Sequence, residues 1–149
     1  MTEPTDSQDN SPLEAARREK MARLVELGVD PWGQRFDDRT LIGDIRARDS
    51  EIVYRVDGND IPLPDFDHAP EDFNFRQWKA DQGKGEMVGP QVRAAGRIVL
   101  HRDKGKLHFV DIRDLTGDIQ LMVGQKQVGD DWAIVEQLDL GDIIGVDGM

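Results

Sequence analysis

The sequence predicts a mainly β fold with helices, and three patterns carry this prediction. Residues 92–123 contain three strand-length runs that are separated by short polar turns. Residues 140–146 have the same strand character, and residues 11–27 have the spacing of an amphipathic helix. A small β domain preceded by a helix accounts for these three patterns.

The composition limits the classes to which the protein can belong. The chain of 149 residues is 33% charged and 38% hydrophobic, and it has no cysteine. A chain without cysteine has no disulfide scaffold, no thiolate metal site and no cysteine nucleophile. No apolar run approaches the roughly 20 residues that span a bilayer. We therefore expect a cytoplasmic protein without a membrane segment.

The net charge of −11 conceals an uneven distribution of charge along the chain. Segments 1–36, 37–90 and 124–149 are acidic, whereas the segment 91–123 is net positive. Its cationic residues are Arg93, Arg97, Arg102, Lys104, Lys106 and Arg113, and its acids are Asp103, Asp111, Asp114 and Asp118. Because binding depends on the local patch, the acidic total does not exclude a small nucleic-acid site.

The first element along the chain is a helix that begins after a tail. Residues 1–10 lack apolar periodicity, and we predict that they form a disordered tail. Ser11, Pro12 and Glu14 form the arrangement that caps a helix N-terminus. The apolar stripe of this helix is expected to dock on another part of the molecule, and it consists of Leu13, Ala16, Leu24 and Leu27.

The helix ends in a Gly-x-Asp-Pro sequence. Gly28 has the position of a C-terminal cap. Pro31 favours an extended exit, and Trp32 is expected to anchor it. We therefore predict one N-terminal unit over residues 11–36.

Residues 37–90 give the weakest pattern. Prolines interrupt this segment and acidic residues are scattered through it. Apolar residues near Ile42 and Trp78 are compatible with short helical turns. We predict an irregular acidic linker or insertion between the helix and the β domain.

The strands of the β domain follow a recognisable order. The predicted strands are 92–102, 107–114, 118–123 and 140–146, with a short helix at 130–138 before the last of them. Three strands, a helix and a fourth strand are the order of an OB-fold, a five-stranded barrel that binds oligonucleotides. We assign 91–149 to an incomplete OB-fold that stops in strand four, and expect the chain to be a fragment of a longer protein.

The period of two residues in a strand assigns the faces of the second and third strands. Val110 and Ile112 share the core face, so Phe109 lies on the solvent side. Gln120 lies on the same side of the third strand. An aromatic ring among polar side chains suits stacking of an unpaired base, although a cover from another segment is an equal alternative. A bend or bulge near Gly96 would switch the faces of strand one.

Three stretches of the sequence carry a resemblance to a known family. They are RREKMARLVELGVDPW (17–32), VRAAGRIVLHRDKGKLHFVDIRDLTGDIQLMV (92–123) and LDLGDIIGVDG (138–148). Together they resemble the N-terminal region of class II lysyl-tRNA synthetases, also called lysine-tRNA ligases. The aspartyl and asparaginyl synthetases are similar in the barrel but lack the helix with its Gly-x-Asp-Pro ending. The helix therefore favours the lysyl family.

The resemblance implies that the barrel binds the anticodon of tRNA(Lys). Arg102, Phe109 and Gln120 stand at the positions that hold the central uridine in this family. Four more residues near them are candidate phosphate contacts, namely His101, Lys104, Lys106 and Arg113.

The parent enzyme that the resemblance implies is a homodimer that charges tRNA(Lys) with lysine, using ATP and Mg²⁺. We assign no catalytic residue and no metal ligand within this chain. Two other functions stay open from the residues alone. One is a stand-alone OB module for single-stranded nucleic acid, and the other is a protein-interaction module that uses the face of Phe109.

Overall fold

Two antiparallel sheets organise the computed structural model, which describes residues 11–149. The predicted tail, 1–10, lies outside the described residues. The helices are α1 (Pro12–Glu26), α2 (Ile42–Arg46), α3 (Phe75–Gln82), α4 (Gln125–Val128) and α5 (Trp132–Val135). The strands are β1 (Val53–Val56), β2 (Asn59–Pro62), β3 (Glu86–Val88), β4 (Val92–Asp103), β5 (Leu107–Arg113), β6 (Asp118–Gly124) and β7 (Ile143–Gly148). The strand orders are β2-β1-β3 and β6-β5-β4-β7.

The larger sheet has the strand order of an incomplete OB-fold. Its long strand β4 pairs with β7 through its N-terminal half and with β5 through its C-terminal half. Gly96 lies between these halves, where a Cβ atom would stand 2.7 Å from the carbonyl oxygen of Arg113. A side chain there would collide with the backbone of β5, so glycine permits the tight coiling of the sheet. The predicted fold class, mainly β with an incomplete OB-fold and an N-terminal helix, is confirmed.

The core lies on one face of the larger sheet. Val110 and Ile112 are fully buried there, as the period of two predicts. The other buried members of the cluster are Ile42, Ala94 and Ile98. Ile42 belongs to α2, so the core includes a residue from the segment 37–90.

The N-terminal helix α1 has the predicted caps but not the predicted docking. The Glu14 N–H donates to Ser11 Oγ at 3.3 Å, and Gly28 has a φ of +78°. Leu13 is nevertheless 62% exposed. Most of the helix surface is charged, so its narrow apolar stripe buries little area, and an ion pair between Lys20 and Asp139 at 3.2 Å links it to the β domain.

The exit from α1 differs from the expectation as well. Trp32 is 83% exposed and therefore does not anchor the chain. The backbone N–H of Trp32 donates to Asp30 Oδ1 at 3.0 Å, and the backbone N–H of Gly33 donates to the Asp30 carbonyl. These short-range bonds form a local turn that directs the indole towards solvent.

The segment 37–90 contains regular structure where the sequence predicts an irregular linker. Its strands β1 and β2 form a hairpin whose turn residues Asp57 and Gly58 have φ of +50° and +80°. Two positive φ values define the type I′ turn, for which Asp-Gly is a strong signal. This dipeptide, directly after the strand-like run Val53–Val56, is the signal for the hairpin in the sequence.

An aromatic cluster holds the smaller sheet together. Tyr54 is 5% exposed, and its hydroxyl donates to the Gly83 carbonyl and accepts from the Gly85 N–H, both at 2.9 Å. The Tyr54 and Trp78 rings lie 5.8 Å apart, and Trp78 stacks on Phe75 at 5.6 Å. The contacts of Tyr54 with Trp78, Gly83 and Gly85 join residues far apart in sequence, which explains why local patterns do not predict the unit.

The turn between β5 and β6 caps helix α2. The Ile42 N–H donates to Asp114 Oδ2 and the Gly43 N–H donates to Thr116 Oγ1, both at 2.8 Å. The guanidinium of Arg46 donates to the Asp118 carbonyl at 2.9 Å. A helix of five residues has too few internal bonds to be stable alone, so these contacts and the burial of Ile42 hold it in place.

We expect Asp114 to make the stability of the protein depend on pH. Partial burial raises the pKa of its carboxyl, but hydrogen bonds from Ile42, Thr116 and Gly117 outweigh this effect and lower the pKa to about 2. Since an aspartate in an unfolded chain has a pKa of about 3.9, the stabilisation is complete above that pH and is lost as the pH falls towards about 2.

Thermal unfolding between pH 7 and pH 2 of the protein and of Asp114→Asn measures this contribution. The difference in Tm between the two proteins should be largest near neutral pH and should shrink with acidification. A difference that stays constant over this range contradicts the assignment to Asp114.

Candidate nucleic-acid interface

The face of β4, β5 and β6 that lies opposite the core, here called the outer face, carries three rows of side chains. Each row crosses the three strands at residues that are register partners. The rows are Arg102, Phe109 and Met122; Leu100, Asp111 and Gln120; and Arg97, Arg113 and Asp118. The outer face therefore brings together Arg102, Phe109 and Gln120, the three residues predicted to bind the central anticodon base.

The Phe109 ring is half-buried on the outer face. On one side the guanidinium carbon of Arg102 lies 5.6 Å from the ring centroid. On the other side Met122 is 68% exposed. Phe36, by contrast, packs closely on this sheet: a Cβ atom added to Gly145 would stand 2.7 Å from the Phe36 ring. Phe109 is thus an aromatic ring in an exposed row, which suits stacking of a base.

A bulge in β4 decides which residues of that strand reach the outer face. The register with β5 shifts between Ile98 and Leu100. Because side chains alternate, an unbroken strand would place Arg102 on the core face with Ile98. The extra residue turns Arg102 towards Phe109 and turns His101 towards the inside.

The candidate phosphate contact His101 lies on the opposite face from Phe109. It is the register partner of the buried Val110, and its Nε2 is 2.9 Å from His108 Nδ1. This placement differs from the prediction, and the bulge is its physical cause.

A buried histidine supports the hairpin between β4 and β5. His108 is 3% exposed and its ring lies 5.0 Å from Trp132. Its Nε2 is 3.1 Å from Asp103 Oδ1, which also accepts from the Gly105 N–H at 2.7 Å. The buried imidazole therefore positions the turn 104–106, which carries two lysines.

The four arginine and lysine residues that are predicted to contact the anticodon fall into two groups. Arg102, Lys104 and Lys106 are exposed, and none of them forms an ion pair with a carboxylate within residues 11–149. The guanidinium of Arg113 instead donates to both oxygens of Asp118, at 2.6 and 2.7 Å. These bonds lower the pKa of Asp118 and raise that of Arg113. Arg113, a predicted phosphate contact, is therefore engaged by a carboxylate.

Gln120 has a partner that the sequence did not indicate. Its Nε2 donates to Asp111 Oδ1 at 2.8 Å. The two residues are register partners on β5 and β6. The period of two predicts that Asp111 and Gln120 lie on the same face of the sheet. Their hydrogen bond also requires the observed pairing register of β5 and β6, which the sequence does not show.

Residues 11–149 contain neither a metal-binding cluster nor a membrane-spanning helix. Between residues 11 and 149, no three side chains of histidine, aspartate or glutamate are grouped so as to hold a metal ion. Over the same range, no helix is long and apolar enough to cross a membrane.

The β domain matches a family of known proteins. Residues 92–149 match a tRNA-anticodon family that is described as an OB-fold nucleic acid binding domain. The match covers the strands β4 to β7 at the C-terminal end of the chain. The candidate interface, including Arg102, Phe109 and Gln120, lies within the OB-fold domain.

Curated relatives extend the similarity beyond the OB-fold domain. A lysine–tRNA ligase of Staphylococcus aureus is 31% identical over 134 residues, and one of Staphylococcus saprophyticus is 33% identical over the same length. The matches cover 89% of this chain and 22% of each relative. The chain thus spans about a fifth of the length of these relatives. The resemblance to lysyl-tRNA synthetases is confirmed.

Proposed function

We propose that the OB-fold domain binds the anticodon of tRNA(Lys) and that the chain is the N-terminal part of a lysine–tRNA ligase. One observation carries the proposal: Arg102, Phe109 and Gln120 share two adjacent rows of an exposed face. The similarity to lysine–tRNA ligases supports the choice of tRNA. The aspartyl and asparaginyl synthetases remain the alternative within the same class.

The three residues divide the recognition of one base between them. The Phe109 ring offers a plane on which an unpaired base stacks, since every base has an aromatic face. Gln120 lies diagonally across from Phe109 and its carboxamide reaches the edge of a stacked base, because such neighbours are about 7–8 Å apart. Arg102 supplies a cation beside the ring for a phosphate or a base edge.

The hairpin between β4 and β5 supplies a cluster of positive charge in a chain whose net charge is negative. Arg102, Lys104 and Lys106 lie within five residues of one another and project from the same end of the sheet. Asp103, the acid among them, is engaged by His108 and the Gly105 N–H. The hairpin is therefore a local cationic patch for the phosphates that flank the base.

The activity of the whole ligase belongs to the proposal as well. The parent enzyme would be a cytoplasmic homodimer that activates lysine with ATP and Mg²⁺ and transfers it to tRNA. In this proposal ATP and Mg²⁺ bind the parent enzyme, and we assign neither of their sites to residues of this chain.

Titration of a fluorescent tRNA(Lys) anticodon stem-loop at several salt concentrations tests the proposal. We expect log K to fall linearly with log salt, because phosphate contacts release counterions. Arg102→Ala should weaken binding and reduce that slope by about one unit. Arg76→Ala removes an exposed arginine from α3 and serves as the matched control.

The outcomes separate the competing functions. Tighter binding of the stem-loop than of an unrelated single-stranded RNA of equal length supports anticodon recognition. Equal binding of the two RNAs indicates a general single-strand module instead. Absence of RNA binding at low salt overturns the proposal and leaves the protein-interaction alternative.

A further inference from the structure

The outer face holds a carboxylate that touches the residue assigned to base reading. Asp111 Oδ1 accepts a hydrogen bond from Gln120 Nε2 at 2.8 Å, and both residues lie one row from Phe109. A glutamine carboxamide has a donor end and an acceptor end, whereas an ionised carboxylate only accepts. The NH₂ end of Gln120 must therefore face Asp111, and its oxygen must face away.

We propose that Asp111 is a positioning residue that sets base specificity by preventing the Gln120 carboxamide from turning over. This inference rests on the proposed function, in which Gln120 reads the central base of the anticodon. The side chain of Asp111 itself makes no contact with the base. Its effect is exerted through the orientation of the carboxamide.

The chemistry of the pyrimidines explains why orientation matters. Uracil presents the N3–H donor beside the O4 acceptor, whereas cytosine presents the N3 acceptor beside the N4 donor. The order of donor and acceptor along the edge is thus reversed between the two bases. A carboxamide that is free to turn over matches either base, so it discriminates poorly between them.

A carboxamide held in one orientation matches only one of these orders. The stacked ring of Phe109 fixes the plane of the base, and the hairpin cations fix the side from which its backbone arrives. Turning the carboxamide over to fit the other pyrimidine would point its oxygen at the Asp111 carboxylate. That arrangement breaks a charge-assisted hydrogen bond and places two acceptors against each other.

Asp111→Asn tests the inference, because asparagine has nearly the same shape and offers both a donor and an acceptor. We expect the ratio of affinities for uridine-centred and cytidine-centred stem-loops to fall about tenfold. Most of the change should come from tighter binding of the cytidine stem-loop. Asp111→Glu retains an acceptor-only partner and should keep more of the ratio.

Two further variants separate positioning from simpler effects. Asp118→Asn removes the same charge from the same face, where the carboxylate holds Arg113 instead of Gln120. This variant should change the affinities for the uridine-centred and the cytidine-centred stem-loop by the same factor and leave their ratio unchanged. Gln120→Ala should bring the ratio towards one by weakening the binding of the uridine stem-loop. Asp111→Asn should instead lower the ratio by strengthening the binding of the cytidine stem-loop.

Each outcome decides a different point. An unchanged ratio in Asp111→Asn, with an unchanged Tm, overturns the positioning role while the proposed function stands. An equal loss of ratio in Asp118→Asn overturns it as well, since the effect is then one of charge. If the unmodified protein binds neither stem-loop, the proposed function itself fails.

Discussion

Phe109→Ala is expected to weaken binding of a tRNA(Lys) anticodon stem-loop by about 1 to 3 kcal/mol, the usual contribution of a base stacked on an aromatic side chain. The ring is half-buried in an exposed row beside Arg102 and Met122. Its removal therefore takes away the stacking plane without opening the core. Fluorescence titration of the stem-loop measures the loss, and thermal unfolding should give nearly the same Tm.

Val110→Ala is the matched control for this substitution. Val110 is the next residue of β5 and is fully buried, so its side chain faces the core and not the RNA. We expect lower stability with unchanged affinity per folded molecule. If Phe109→Ala instead unfolds the domain and leaves the affinity of the folded fraction unchanged, the ring belongs to the core and the base-stacking role is wrong.

Ile42→Ala should lower the free energy of unfolding by about 2 to 5 kcal/mol, the range for truncation of a buried isoleucine. Ile42 is fully buried in the core of the OB-fold domain, although it lies 50 residues before the first strand of that domain. Alanine keeps the backbone N–H that donates to Asp114, so the cap of α2 survives and the loss reports packing. Urea denaturation monitored by tryptophan fluorescence measures it.

Leu115→Ala provides the comparison for Ile42→Ala. Leu115 lies in the same region, in the turn between β5 and β6, but is 86% exposed. Its truncation should change stability by no more than about 0.5 kcal/mol. Equal losses in the two variants would mean that α2 does not pack on the domain as described.

The strands β5 and β6 show how much local pattern alone predicts. Their alternation of apolar and polar residues assigned Val110 and Ile112 to the core and Phe109 and Gln120 to the opposite face, and the structure agrees at all four positions. The cap at Ser11 was equally predictable, because it involves residues three apart in the chain. Such features depend on near neighbours, so the sequence contains the whole signal.

The segment 37–90 shows where local pattern is insufficient. The contact of Tyr54 with Trp78 and the packing of Ile42 in the core join residues that are distant in sequence. Short elements like these have little stability of their own and form because other elements cover them. The prolines and scattered acids in the segment therefore indicated an irregular linker where the tertiary contacts produce a small sheet.

The sequence by itself determined the incomplete OB-fold, the resemblance to lysyl-tRNA synthetases and the placement of Phe109 and Gln120 on one face. The resemblance already groups Arg102 with them, but only the tertiary structure shows the bulge that turns Arg102 to this face and His101 away from it, and the bond by which Asp111 holds Gln120. The reason is the register of β4 and β5. Side chains alternate with a period of two, so the one extra residue between Ile98 and Leu100 reverses the direction of every side chain that follows, and only the pairing with the neighbouring strand reveals where that residue lies.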